Sequence, residues 1–431
     1  MKEGYKMTEL GNIPNEWRVD RLQDIAELID GDRSSNYPSG DDIVPNGIVF
    51  LSTANIKNDR LVFEECRYIT KEKFNSLKKG KLQDKDIIIT LRGSLGNIGY
   101  FRANKFVTGL INAQMMIIRK SSDVINSDYL YKYMTSELIK NQIKSISTGS
   151  AQPQLTKKDM STFKIVIPPL PEQQKIADIL STLDEQIDNV DRLIEKTKEL
   201  KRGLMQQLLT KGIGHTEFKE TEVGVIPKEW EVKKLGDIAT VTKLAGFEFT
   251  QYIQYKDCGE IIALRALNLK NGKLDLNDIK KIDKDVSNNL LRSKLFQNDI
   301  VFSYVGTIGE VAIIEENDKY HLAPNVAKIT AVQGEILTSF LLQYFMSDKI
   351  KSEINKLLTT TSQPALSMTN IRELRIIIPR IKEQQKIVEL TSSLDKKIDE
   401  ETVKKDKLQQ LKKGLMQQLL TGKIRVKVEE M

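Results

Sequence analysis

The chain has 431 residues, of which 40% are hydrophobic and 29% charged, a composition typical of a folded, soluble protein with two or three domains. Its net charge of +7 is compatible with a polyanionic partner but is too small to identify one. With two cysteines and two histidines, we expect no disulfide framework and no His/Cys metal site, and a reducing, cytoplasmic location. No run of about 18 apolar residues occurs, so neither a membrane span nor an export signal is expected.

The opening segment begins a long internal repeat. Residues 8–26 (TELGNIPNEWRVDRLQDIA) return 213 residues later as residues 221–239 (TEVGVIPKEWEVKKLGDIA), which aligns the only two tryptophans, Trp17 and Trp230. This period is far beyond the roughly 20 to 50 residues of a solenoid repeat. The chain is therefore two copies of one large module, and the tryptophans are predicted core residues.

The next segments differ between the copies. Residues 31–40 and 245–256 are polar loops without matching sequences, and divergent loops on equivalent scaffolds are where different ligands are read. The candidate contact residues in these loops are Arg33, Tyr37, Tyr252, Tyr255 and Lys256.

A shared apolar strand follows, and residues 51–61 (LSTANIKNDRL) align with residues 264–274 (LRALNLKNGKL). Lys57 and Lys270 are candidates for holding phosphates, and Arg265 is a candidate for reading a base. The alternative is that the lysines are solvated surface residues.

A strand, a Gly-rich turn and a second strand come next in each copy, as DKDIIITLRGSLGNIGYF and QNDIVFSYVGTIGEVAII. Arg92 could reach guanine O6 and N7 or a phosphate, and the glycines allow close backbone approach. The alternative is a tight turn with a solvated arginine. The candidate contact residues in and after these turns are Arg92, Ser94, Asn112, Tyr304, Thr307 and Asn325.

Residues 127–143 have the spacing of one amphipathic helix, and a polar loop then precedes the last strand of each copy. Glutamine suits bidentate contacts to adenine, and serine suits phosphates. A structural turn that both copies share because they share a fold is an equally weighted alternative. The candidates in these loops are Ser150, Gln152, Gln154, Ser362 and Gln363.

Each copy ends in a long helix, predicted over about residues 172–210 and 383–421, with apolar residues at steps of three and four. Antiparallel pairing would put one globule at each end, and a helix of this length spans roughly 58 Å, or about 17 base pairs. The second stripe is expected to comprise Ile387, Leu394, Ile398, Leu408, Leu411, Leu415 and Leu419. A partner-binding face is predicted beside the stripes, with core packing as the alternative, at Met205, Leu209, Met416 and Leu420.

In this order, the motifs resemble the specificity subunits of type I restriction–modification systems, the HsdS family. The resemblance covers essentially the whole chain and rests on the ELG-x-IP-x-x-W opening, the PPLPEQQKI junction, the GLMQQLLT helix ends and the duplication. The second junction, IIIPRIKEQQ, departs from the pattern because it lacks the double proline.

The resemblance implies an α+β fold with two tandem target recognition domains, separated and followed by long helices that pair as an antiparallel coiled coil with pseudo-two-fold symmetry. The implied segments are recognition domains at 1–168 and 214–379, conserved helical spacers at 169–213 and 380–425, and a tail at 426–431.

The resemblance also implies a function. Each recognition domain would read one half of a bipartite, asymmetric site in double-stranded DNA, while the helices set the spacer and dock two modification (methyltransferase) subunits. Two restriction subunits would complete the assembly. S-adenosylmethionine, ATP and Mg²⁺ are then expected in the partner subunits, with no cofactor in this chain.

The residues themselves suggest no active site. There is no G-x-x-x-x-G-K-[ST] motif for ATP, no Asn/Asp-Pro-Pro-aromatic motif of an amino-methyltransferase and no convincing acidic cluster for Mg²⁺. We therefore expect a non-catalytic chain. Two other classes stay open: a scaffold that presents two interaction globules without nucleic acid, and a single-chain enzyme.

Overall fold

The computed structural model describes residues 3–147, 154–358 and 364–427. Two compact units divide the chain: unit 1 comprises residues 1–190 and 404–431, and unit 2 comprises residues 191–403. Each unit combines one α+β globule with part of each long helix, which confirms the predicted fold class and the duplication.

Unit 1 contains fourteen described strands and five short helices before its first long helix. The strands are β1 (Tyr5–Thr8), β2 (Gly11–Pro14), β3 (Arg18–Arg21), β4 (Ala26–Asp30), β5 (Ile43–Val44), β6 (Ile48–Leu51), β7 (Ile56–Lys57), β8 (Arg60–Leu61), β9 (Arg67–Ile69), β10 (Ile87–Thr90), β11 (Ile98–Tyr100), β12 (Gly109–Ile111), β13 (Met115–Lys120) and β14 (Lys164–Ile167). The short helices are α1 (Leu22–Ile25), α2 (Lys71–Ser76), α3 (Ser127–Met134), α4 (Glu137–Ser147) and α5 (Lys157–Ser161).

Two four-stranded sheets form the body of the first globule. One is antiparallel, in the order β11-β10-β13-β4, and its inner strands carry the apolar runs that bury on both faces. The other has the order β12-β6-β9-β5, with β12 and β6 parallel. A hairpin of β1 and β2 and a pair of β3 and β14 bring the start and end of the globule together.

Unit 2 repeats this plan. Its strands are β15 (Phe218–Thr221), β16 (Gly224–Pro227), β17 (Glu231–Lys234), β18 (Ala239–Lys243), β19 (Ile261–Leu264), β20 (Leu269–Lys270), β21 (Lys273–Leu274), β22 (Lys280–Ile282), β23 (Ile300–Ser303), β24 (Val311–Ile313), β25 (Tyr320–Leu322), β26 (Val326–Ala331) and β27 (Arg375–Ile378). The short helices are α7 (Leu235–Ile238), α8 (Gly246–Tyr252), α9 (Lys284–Asn289), α10 (Thr338–Met346), α11 (Asp348–Leu357) and α12 (Met368–Glu373). The main sheet again has four antiparallel strands, β18-β26-β23-β24.

The divergent loops differ in structure as well as in sequence. In unit 1, the segment after β4 forms a 3₁₀ turn at Gly40–Asp42 and then strand β5. In unit 2, the equivalent segment forms α8 instead.

The long helices, α6 (Leu170–Lys211) and α13 (Ile381–Leu419), have 42 and 39 residues and begin within two residues of their predicted starts. In unit 1, the first turns of α6 share a hydrophobic core with the last turns of α13, and Asp184 pairs with Lys412 at 2.7 Å. In unit 2, the end of α6 accompanies the start of α13, and Lys201 pairs with Asp395 at 2.7 Å. The helices are therefore antiparallel, as predicted.

Two helical predictions need correction. Residues 127–143 form two helices rather than one, because α3 ends at Met134, where the backbone N–H of Thr135 bonds to carbonyls of the last turn. Leu411 does not belong to the buried stripe of α13, since it is half-exposed. Both tryptophans lie fully buried in the cores of their globules, as expected. No helix within the described ranges has the length and apolarity that a bilayer crossing requires.

Candidate nucleic-acid interface

Each globule carries the same 3₁₀ turn after its first parallel strand. The turns are Thr53–Asn55 and Ala266–Asn268, and each ends in a buried asparagine whose side-chain oxygen accepts a bond from the backbone N–H three residues earlier. The polar side chain supplies this cap locally, so the turn does not depend on the residues between. Lys57 and Lys270 follow these turns, and both are exposed.

The Gly-rich turns join β10 to β11 and β23 to β24, in the other sheet of each globule, and each is held by a buried hydroxyl. The buried hydroxyls of Thr90 and Ser303, each at the end of a strand, donate to a carbonyl inside the turn and accept the N–H of Asn97 or Glu310 at 3.0 Å. Gly93 takes φ 76°, a left-handed conformation that a side chain would strain. The turn is thereby fixed in shape, while Arg92 and Ser94 are exposed at its tip.

In unit 2 these elements enclose one open cleft of about 890 Å³. Its walls come from the 3₁₀ turn, the Gly-rich turn, the segment around Asn325, Tyr255 after α8 and Pro364 before α12. The lining residues are Tyr255, Arg265, Ala266, Leu267, Leu269, Lys270, Val305, Gly306, Thr307, Glu310, Pro324, Asn325 and Pro364. Five predicted contact residues therefore lie in one cleft, although they come from four separate segments: Tyr255, Arg265, Lys270, Thr307 and Asn325.

The charges in the cleft are mixed. Arg265 donates from Nη2 to the carbonyl oxygen of Asp278 at 2.8 Å and to its carboxylate at 2.9 Å. Glu310 accepts the backbone N–H of Asn271 at 3.1 Å. Burial raises the pKa of the Tyr255 hydroxyl, so this side chain enters the cleft as a neutral donor.

In unit 1 the predicted contact residues in and after the corresponding turns are Lys57, Arg92, Ser94 and Asn112. The first three are exposed around the same two turns. Asn112 is 9% exposed, and its side-chain oxygen accepts the N–H of Gln114 at 3.0 Å, so it closes a turn in the interior. The side-chain oxygen of Asn112 is thus used inside the turn, and its contact with DNA stays a prediction.

The remaining predicted residues are dispersed. Arg33 is exposed and donates to the carbonyl of Ala113 at 3.2 Å, which places it beside the Asn112 turn. Lys256 lies outside the cleft lining and is paired with Asp283. Tyr304 is half-buried under the Gly-rich turn, and its backbone N–H donates to the carbonyl of Asn325.

The polar loop before the last strand is described only in part. Ser150, Gln152, Ser362 and Gln363 lie outside the described residues. Gln154 is exposed, and the next residue, Leu155, bonds through its backbone N–H to the carbonyl of Leu91 at 3.0 Å. In unit 2, Leu366 bonds to Tyr304 in the same way at 2.9 Å, so each loop ends beside its Gly-rich turn.

Sequence reasoning missed part of the cleft wall. Leu267, Glu310 and Pro364 line the cleft but were not singled out. An alignment of the two copies could have identified two of them, because Leu267 and Glu310 align with the different residues Ala54 and Asn97. Positions at which equivalent turns carry different side chains mark the variable surface.

The predicted partner-binding residues of the long helices lie largely against the cores of the globules. Met205, Leu209 and Leu420 are buried in the cores of their units, and Met416 is half-buried against the same core. Met205, Leu209 and Leu420 thus fit the alternative of core packing, whereas Met416 keeps part of its surface exposed. The exposed apolar residues at equivalent helix positions are Leu200, at 60% exposure, and Leu411, at 50%.

No group of three His, Cys, Asp or Glu side chains in the described part of the chain is arranged to hold a metal ion.

These features, a duplicated α+β globule with a cleft at its variable turns and a pair of long antiparallel helices, agree with one family of proteins. The model of the type I restriction modification DNA specificity domain matches residues 14–199 and again residues 227–410. The chain therefore belongs to this family and contains two copies of its domain.

The similar proteins cover the chain almost completely. The MjaVIII specificity subunit of Methanocaldococcus jannaschii, a type I restriction enzyme subunit, is 28% identical over 99% of this chain and 97% of its own length. The EcoKI specificity subunit of Escherichia coli is 24% identical over 89% of this chain and 83% of its own length. The chain is thus similar to type I specificity subunits from both an archaeon and a bacterium.

Solved structures share the fold. The type I restriction–modification S subunit from M. genitalium gives a TM-score of 0.55 at 14% identity, covering 97% of this chain and 99% of its own. A chain from a structural study of type I complex assembly gives a TM-score of 0.57 at 16% identity, covering 96% and 99%.

Proposed function

We propose that the chain is the subunit that selects the DNA sequence in a type I restriction–modification assembly, with each globule reading one part of a bipartite, asymmetric site. The observation that carries the proposal is the convergence of Arg265, Lys270, Thr307 and Asn325 on one cleft of unit 2. These side chains can donate to base edges and phosphates, and the walls between them include apolar groups suited to thymine methyls.

The duplication explains why the site would be split. Both globules keep the buried asparagine caps and the Gly-rich turns held by a buried hydroxyl. They differ in the loops after β4 and β18 and in the exposed residues of the turns. A shared scaffold with different exposed side chains would read two different base sequences. The paired long helices would then set the number of unread bases between them.

The helices would also bind the partners. Leu200 and Leu411 occupy equivalent positions on α6 and α13, and both are at least half exposed to solvent. A large exposed apolar side chain on a charged helix surface is suited to the apolar centre of a protein–protein contact. We propose that each helix presents one such leucine to a modification subunit, which gives two docking sites, and that two restriction subunits join this core.

Catalysis would belong to those partners. Cleavage or methylation needs S-adenosylmethionine, ATP or Mg²⁺, and we propose that the partner subunits hold these cofactors. The role of this chain is then to bind DNA and position it, with no chemical step of its own.

An exchange of the first recognition domain tests the proposal. Residues 1–168 are replaced by the corresponding domain of another specificity subunit, and the hybrid is expressed with its modification subunits in a host lacking other methylases. Mapping of methylated bases should show one half of the site replaced and the other half unchanged. A change in both halves, or in neither, would refute independent reading by two domains.

A further inference from the structure

Residues 265–267 and 52–54 occupy the same place on two nearly identical turns. Buried Leu264 and Leu51 precede the tripeptides, and the asparagine caps follow them. The backbone N–H of Arg265 donates to the Asn268 side chain at 3.1 Å, and that of Ser52 donates to the Asn55 side chain at 2.9 Å. Both asparagines are themselves held by bonds from Nδ2 to backbone carbonyls.

Because both ends are fixed, the side chains in between can change without changing the backbone. The first copy carries Ser-Thr-Ala in this tripeptide, and the second carries Arg-Ala-Leu. All three residues of the second tripeptide line the cleft, and Leu267 is 51% exposed there. About half of the apolar surface of this leucine is therefore not covered by any described residue.

Arg265 is held in one orientation. Its Nη2 group is used by both Asp278 contacts, and its Nε is buried without a hydrogen-bond partner among the described residues. The Nη1 group makes no hydrogen bond with the described residues, so it is the donor that remains for a ligand. Because the two Asp278 bonds fix the guanidinium, this donor meets an acceptor at one position, and the O6 or N7 atom of guanine is such an acceptor.

The surrounding charges favour a base edge over a phosphate. Asp278 already neutralises the guanidinium, and the carboxylate of Glu310 lines the same cleft. A phosphate placed there would be repelled by Glu310 and would gain little from a compensated arginine. The neutral, acceptor-rich edge of guanine meets neither penalty.

We propose that this tripeptide is a base-reading element, in which Arg265 selects guanine and Leu267 contacts a neighbouring thymine methyl in the half-site of the second globule. The proposal rests on the proposed function, and it assigns the equivalent role in the other half-site to Ser52, Thr53 and Ala54.

The first test removes the arginine. Wild-type chain and R265A are expressed with their modification subunits, and the methylation of a library of sites is sequenced. R265A should lose about ten-fold to one-hundred-fold of its preference for guanine at one position of one half-site, and keep the other half-site unchanged. The matched control is R292A, which removes an exposed arginine outside the cleft lining of the same globule and should leave the motif intact.

The second test is a gain of preference, which a folding defect cannot imitate. The triple variant S52R/T53A/A54L places the second tripeptide on the first turn and should create a guanine preference in the first half-site only.

The outcomes separate the two proposals. An unchanged motif in R265A, or an equal loss at all sequences, would overturn the assignment of Arg265 while leaving domain-wise reading intact. A triple variant that stays active without any new preference would overturn the role of the tripeptide. A wild-type chain that directs no sequence-specific methylation would instead overturn the proposed function itself.

Discussion

A cluster of ion pairs connects the first globule to the long helices, and its removal tests how strongly these elements are held together. Asp184 on α6 pairs with Lys132 of α3 at 2.6 Å and with Lys412 of α13 at 2.7 Å. Arg60 of β8 lies 3.3 Å from the same carboxylate. Burial alone would raise the pKa of Asp184, but the two lysines hold it below its ordinary value.

The perturbation is Asp184→Asn, which keeps the size of the side chain and removes its charge. The side chain of Lys132 is only 7% exposed, so its ammonium cannot regain water when its partner is neutral. Removal of one member of a buried ion pair costs about 3 to 5 kcal/mol. Because Lys412 and Arg60 are more exposed and recover solvent, we expect a loss of about 3 kcal/mol in the stability of unit 1.

The second copy supplies a matched control. There Asp395 pairs with Lys201, but the residue equivalent to Lys132 is the neutral Gln343, which donates to Asp395 at 3.1 Å. Asp395→Asn therefore removes the partner of one lysine, 13% exposed, rather than of the three cations around Asp184, and we expect a loss of about 1.5 kcal/mol in unit 2. Adding Lys132→Met to Asp184→Asn removes the stranded ammonium and should restore all but about 1 kcal/mol.

Native-state hydrogen exchange is the suitable assay, because it reports the opening free energy of each unit without assuming that they unfold together. Amides of α3 report unit 1, and those of α10 report unit 2. Equal losses for the two asparagine variants, or no rescue by Lys132→Met, would show that the buried lysine does not set the strength of this attachment.

Three further predictions follow from the same carboxylate, from the segment after α13 and from the helix surface. First, a carboxyl whose pKa is lowered in the folded state stabilises the fold above its unfolded pKa, and this stabilisation is lost as the pH falls through the folded pKa. The difference in the free energy of unfolding between wild type and Asp184→Asn, measured by urea denaturation, should therefore be constant from about pH 7 to 5 and shrink below about pH 4. Second, the buried carboxylate of Glu172 accepts two hydrogen bonds from Arg425, at 2.8 and 2.5 Å, which Glu172→Gln weakens. The stability of unit 1 should fall by about 2 kcal/mol, and the backbone amides after α13 should exchange faster with solvent. Unchanged protection of these amides would refute the prediction. Third, the double variant L200S/L411S should keep its thermal midpoint yet bind modification subunits at least ten-fold more weakly in titration calorimetry, and equal affinity would remove these leucines from the docking surface.

The duplication made most of the architecture predictable. An alignment of the chain with itself placed the tryptophans, the Gly-rich turns and both long helices in equivalent positions, and the structure agrees. It also pointed to five of the cleft residues, one in a divergent loop and four in or after the shared turns: Tyr255, Arg265, Lys270, Thr307 and Asn325.

The sequence alone did not show which apolar side chains of each long helix pack against its own globule. Met205 and Leu209 extend the stripe of α6 and looked available for a partner, yet they pack in the core of unit 2. Periodicity gives the width of an apolar stripe but not its neighbour. Asn112 illustrates a similar limit, since a polar residue after a strand can close a turn as well as contact a ligand.

If the two globules read two separate stretches of one DNA molecule, the methylated sites in a genome will show it. Methylated bases are mapped genome-wide in a host that expresses this chain with its modification subunits. We expect a motif of two different specified base clusters separated by a constant number of unspecified bases. A single continuous motif, or two clusters at variable separation, would contradict it.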